Sequence, residues 1–231
     1  MIAVRRIEAV LYKSLKDLLK NKVLLILHFM FPVLAFLFKI SFTYDEYIEA
    51  IASFCTMNVV MIPILGMSSI IAEEKEKGTL RSLIVFNVKP VEYLLGVSIT
   101  IFFAIMVSSI FFIIIIPSEI VNVKKYLLFC AAGAVVSVLI GAIIGLITEN
   151  QIKVGAIAAP IAMVLGMLPV FAEANKWLKG FTSLLYSDIL SKLISQNSSF
   201  VTLKEILILL SNILIVFLLF YLIYRNKGLE N

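Results

Sequence analysis

The chain has 231 residues, 61% hydrophobic and only 15% charged, with a mean hydropathy of +1.07. A soluble globular chain sits near about 45–50% apolar and about 25% charged, so these values exclude an ordinary soluble enzyme or binding domain. The formal charge of +5 is explained by membrane topology, and no nucleic-acid partner is expected.

Apolar runs recur at 23–42, 50–72, 93–117, 126–148, 154–172 and 204–224. Each is close to the roughly 20 residues that cross a bilayer core as a helix. The runs lack the period-2 alternation of barrel strands, and a helix satisfies its own backbone groups in lipid. They predict an all-α membrane protein, a single transmembrane domain over 1–231 with six spans.

The segment before the first span, 1–22, carries Ile7, Leu11, Leu15 and Leu18 at helical spacing, with Val10 and Leu19 widening the stripe. Arg5, Arg6, Lys13, Lys16, Asp17 and Lys20 take the other face. This pattern predicts an amphipathic helix lying in the inner membrane interface, its cations turned to anionic lipid head groups. The competing reading is a basic flank that only fixes topology. No small-residue cleavage site follows, so a removable signal peptide is not expected.

Spans one and two occupy 23–72, joined by an acidic outer loop from Thr43 to Glu49. The connection 73–92 follows. Its charged run, Glu73-Glu74-Lys75-Glu76-Lys77, leads to Gly78, which permits a sharp turn. Thr79 can then cap a short helix carrying Leu80, Leu83 and Ile84 on one face, and Pro90 stops it. Such a capped helix suits docking to another protein, although charged loops are common in membrane proteins.

Spans three to five occupy 93–172. In the fourth, Gly133, Ser137, Gly141 and Gly145 follow at i+4, and Ala158, Ala162 and Gly166 repeat the spacing in the fifth. Small residues in this register let helix backbones approach closely, here read as packing within one subunit. Pro32, Pro63, Pro117, Pro160 and Pro169 mark bends that shape a pathway or simply serve packing. Cys55 and Cys130 fall within spans as small packing residues.

Segment 173–203 is too long for a tight turn and too polar for a span. Its interleaved apolar and charged residues predict one or two short amphipathic helices dipping into the outer leaflet. Trp177 and Tyr186 are of the type that settles at the interface. A floating interfacial loop is the alternative. The last span is 204–224.

Basic residues concentrate before the first span, between spans two and three, and after the last. This bias puts both termini in the cytoplasm. Ionisable residues are sparse within spans, with Lys39 and Glu119 near outer ends where they can snorkel. His28 is the sole histidine and cannot form a His-based catalytic or metal cluster. No Gly-x-x-x-x-Gly-Lys-Ser/Thr phosphate loop occurs, so any ATP hydrolysis belongs to another chain.

Glu74-x-Glu76-x-Gly78-Thr79-Leu80-x-x-Leu83 followed by Pro90 resembles the coupling-helix region of type-2 ABC-transporter permeases, the exporter-type membrane subunits. The wider layout is similar too: an interfacial elbow helix, six spans and a re-entrant segment before the last. The resemblance implies a cytoplasmic coupling helix, with Glu74, Glu76, Gly78, Thr79, Leu80 and Leu83 contacting a soluble ATP-binding cassette ATPase subunit. It further implies two ATPase copies carrying ATP and Mg, no cofactor on this chain, and a second permease chain, either identical or a paralogue, meeting it through spans one and five. The location implied is a prokaryotic plasma membrane, and the cargo an amphipathic peptide-, drug- or lipid-like molecule. An accessory membrane subunit without a pathway is the alternative. An intramembrane CAAX-type protease is disfavoured, since Glu73-Glu74-x-x-Lys77 misses that signature's spacing and its histidines.

Overall fold

The computed structural model describes residues 2–80, 88–117, 122–172, 175–195 and 202–227, and all regular structure among them is α-helical. α1 runs Ile2–Lys20, α2 Lys22–Ser41, α3 Tyr44–Glu76, α4 Pro90–Ile115 and α5 Val123–Ile147. α6 runs Gln151–Ala172, α7 Lys176–Thr182, α8 Tyr186–Ser195 and α9 Leu203–Lys227. Six of these, α2 to α6 and α9, are long and apolar enough to cross a membrane. The chain is a multi-pass membrane protein.

Helix starts are set by polar side chains that answer orphan backbone amides. Asn21 accepts from the amides of Val23 and Leu24, and Asn122 from those of Lys124 and Lys125. Asn150 and Asn175 do the same for Lys153 and Trp177. Thr202 and Glu205 bond reciprocally at the start of α9, a capping box.

Three boundaries differ from the sequence reading. The Glu46 carboxylate accepts from both the amide and the hydroxyl of Thr43 at 3.2 and 2.7 Å, so the expected loop from Thr43 to Glu49 is already the first turns of α3. Pro90 opens α4 as its first residue, a position where a missing N–H costs nothing. Pro117 lies beyond the end of α4 and bends no span. Pro32, Pro63, Pro160 and Pro169 do lie inside helices.

α3 is the most enclosed span and α9 the least. α3 packs against α2, α4, α5, α6 and α8, while α9 rests chiefly on α5 and α1 chiefly on α4. Close approach of α5 to α3 depends on its small residues. A Cβ at Gly141 would stand 2.8 Å from the Ile64 carbonyl oxygen and 2.9 Å from that of Pro63. One at Gly145 would stand 2.8 Å from Ile71 Cβ. At Gly133 the neighbours are Leu190 and Val59. On α6, Ala158 and Ala162 are fully buried, and a Cβ at Gly166 would lie 3.0 Å from Met61 Cγ.

Lys39, expected to reach the outer interface, binds the end of a neighbouring helix. Its ammonium donates to the Ile115 carbonyl at 2.7 Å, because the last carbonyls of α4 lack intrahelical donors and sit at the negative end of the helix dipole.

Candidate functional site

The last turn of α3 and the turn after it gather the charged residues singled out in the sequence. Gly78 adopts φ 68°, the left-handed conformation that ends a helix without a Cβ penalty. The Lys77 amide bonds the Glu73 carbonyl at 2.9 Å and the Gly78 amide the Lys75 carbonyl at 3.1 Å. The Thr79 hydroxyl donates back to the Glu74 carboxylate and to the Glu74 carbonyl at 3.2 Å, so it tightens this turn. Helical backbone resumes at Thr79 and Leu80. Leu83 and the rest of 81–87 lie outside the described residues.

Successive residues at the end of α3 reach three different elements, because each step around an α-helix turns about 100°. Glu74 pairs with Lys13 of α1. Lys75 donates to the carbonyls of Gly145, Leu146 and Thr148 at 3.0, 2.8 and 3.1 Å, the open end of α5. Glu76 accepts from the Gln151 amide at 3.3 Å, the first residue of α6. Glu76 and Lys77 are exposed, Gly78 and Thr79 half-buried, and Leu80 only 5% exposed. Lys77 pairs with Glu73, whose hydrogen bond and charge raise the lysine pKa.

α1 straddles the connection from α3 to α4. At one end Lys13 holds Glu74. At the other, Arg6 pairs with Glu92 at 3.7 Å, and Glu92 accepts from the Lys89 amide at 2.9 Å. A Cβ at Gly96 would fall 2.6 Å from Val10 Cγ1, so glycine lets α1 lie directly on α4. Of the cations expected to face lipid head groups, Arg6 and Lys13 turn to protein carboxylates, those of the buried Glu92 and the half-buried Glu74. The face of α1 that meets the protein centres on Val10, Ser14 and Leu18, with Ile7, Leu11 and Leu15 half-buried beside it. A cavity of about 410 Å³ opens between α1, the start of α2 and the end of α3, ringed by Lys13, Asp17, Lys20, Glu73, Glu74 and Lys77.

The other end of the bundle is built around α8. Trp177 on α7 is 91% exposed, but Tyr186 departs from its expected place at the interface. It is fully buried, its hydroxyl 2.8 Å from the Ser137 hydroxyl. The room left by Gly133 and Ser137 on α5 admits Tyr186 and Leu190. Burial raises the Tyr186 pKa, so the phenol stays protonated.

Sequence reasoning also missed uncharged polar groups within the spans. Asn58 donates to Ser108 at 2.8 Å, and Tyr126 links Cys55, at 3.1 Å, to the Ser109 carbonyl. These bonds join α3, α4 and α5 without any formal charge. Interspersed singly among apolar residues, they carry no motif.

Among the described residues, no group of three His, Cys, Asp or Glu side chains is placed to hold a metal. No curated protein matches the sequence. A scan against known families matches residues 36–222 to the ABC-2 family transporter protein. That match takes in α3 to α6, the last six residues of α2 and all of α9 but its final five. With those helices and the charged turn after α3, the chain belongs to the ABC-2 transporter family, as a membrane permease of an ABC transporter.

Proposed function

We propose that this chain is the membrane half of an exporter driven by ATP hydrolysed on separate ATPase subunits, which dock on the 73–92 connection. Permeases of this family work with an ATP-binding cassette subunit. The contact would run from Glu74 through Glu76, Gly78, Thr79 and Leu80 to Leu83. Its accessible edge is Glu76, Lys77 and Gly78, while Glu74 and Leu80, turned into the protein, seat the connection from beneath. Two ATPase copies, carrying ATP and Mg, would act on two permease chains. α1 would be the interfacial elbow, α7 and α8 the outer re-entrant pair, and both termini would be cytoplasmic in a prokaryotic plasma membrane.

The observation that carries the reading is the bracing of the 77–89 connection. Its two ends are fastened to α1, α4, α5 and α6 by Glu74, Lys75, Glu76 and Glu92. A push on the connection would therefore move the bundle, which is how a soluble motor could shift spans between inward- and outward-facing arrangements. Paired lysines and carboxylates lie at the α1 end, and among the described residues the bonds that join α3, α4 and α5 midway are made by amide, hydroxyl and thiol groups. That character suits an amphipathic, peptide- or lipid-like cargo.

The test is co-purification from native membranes in mild detergent. A soluble ATPase with a phosphate loop is expected in stoichiometric amount. Double charge reversal, Glu76→Lys with Lys77→Glu, should deplete it several-fold while the permease still inserts and purifies as a folded chain, its melting temperature lowered slightly by loss of the Gln151 and Glu73 bonds. A chain that purifies without any ATPase across several detergents would instead be an accessory subunit.

A further inference from the structure

We propose that Lys75 is a positioning residue, through which the root of the 77–89 connection grips the turn between α5 and α6 and delivers displacement to both helices. The inference rests on the exporter reading and adds a route for the movement. A helix leaves its last carbonyls without intrahelical donors, at the negative end of its dipole. The Lys75 ammonium answers two such acceptors on α5, Gly145 and Leu146, and the carbonyl of Thr148 that caps it, all between 2.8 and 3.1 Å. Its neighbour Glu76 takes the first amide of α6. The α5–α6 turn, 148–150, is thus held from both sides by consecutive residues of a third helix.

The contact is directional. Charge-assisted hydrogen bonds are about twice as strong as neutral ones, and these lie where α3 and α5 are in backbone-close contact. Ile71, one turn before Lys75, is the residue against Gly145. Rotation or tilt at the end of α3 therefore pulls on carbonyls of α5 through one side chain, held at its ammonium by three acceptors. A lysine serving only topology would point to water, and this one does not.

The experiment uses the permease purified with its ATPase and a pair of spin labels, at Ile152→Cys and Ile114→Cys. Both sites are highly exposed, at 85% and 75%, whereas the native Cys55 and Cys130 are buried and escape the label. Pulsed electron-resonance distances are compared without nucleotide and after trapping with ATP and vanadate. The expected result is a clear shift in the wild type, its loss in Lys75→Gln with the ATPase still bound, and its recovery in Lys75→Arg. Should Lys75→Gln fail to insert, Gln151→Pro carries the test. It removes the amide that Glu76 accepts, at a first helical position that tolerates proline, and should weaken the shift. An undiminished shift in Lys75→Gln, or in Gln151→Pro, overturns the proposal, as does loss of the ATPase from Lys75→Gln, which would make Lys75 a docking residue. A wild-type preparation with no ATPase overturns the exporter reading itself, and the proposal with it.

Discussion

At the scale of single residues, two glycines make opposite predictions. Gly141 faces the carbonyls of Pro63 and Ile64 and Met67 Cβ within 2.9 Å of where its own Cβ would stand. Two of those neighbours are backbone and cannot rotate aside. Gly141→Val should therefore destabilise the bundle by about 1–3 kcal/mol or more, the usual cost of overpacking. Gly155 has nothing within 4 Å, so Gly155→Ala should stabilise α6 by about 0.5–1 kcal/mol through helix propensity alone. Thermal unfolding in one detergent, read on both variants, checks the pair. A third residue-scale prediction concerns Tyr186. Removing its hydroxyl in Tyr186→Phe deletes one bond to Ser137, and interhelical bonds of this kind are worth about 0.6 kcal/mol on average. The variant should melt slightly lower, and a drop as large as that of Gly141→Val would mean the tyrosine does more than pack.

At the scale of elements, α1 makes contacts with the protein that no local pattern in the sequence announces. Its apolar stripe was legible from Ile7, Leu11, Leu15 and Leu18, because a period of about 3.6 residues shows in any amphipathic helix. Whether such a stripe meets lipid or protein is decided by its neighbours. Gly96, from a distant part of the chain, makes the space that Val10 fills, and Glu92 and Glu74 supply charges that no local pattern links to Arg6 and Lys13. The spans were legible for the same reason in reverse, since length and hydropathy need no tertiary partner. Residues such as Lys75 and Lys39 were read as topology signals, and their capping of other helices depends on inter-span approach. The strapped arrangement predicts that Gly96→Leu lifts α1 from α4, so that trypsin cuts after Arg6 and Lys13 much faster than in the wild type. Unchanged digestion would show that α1 is held without that contact.

At the scale of the whole molecule, the order of spans fixes which exposed sites share a side. Val4 precedes α2 and Ile152 follows four spans later, whereas Trp177 lies beyond a fifth. Single cysteines replacing Val4 and Ile152 should react with a membrane-impermeant maleimide from one side only, and one replacing Trp177 only from the other. The three positions are 57%, 85% and 91% exposed, so access on the correct side is not limiting.

Two lysines described above share a relation in time as well as in space. Lys39 on α2 serves the end of α4, and Lys75 on α3 serves the end of α5. In both cases the cation is made two spans before the carbonyls it will meet. A chain synthesised from its N-terminus therefore has each ammonium in place before the helix end that needs it emerges, and the bundle can close in the order of its translation.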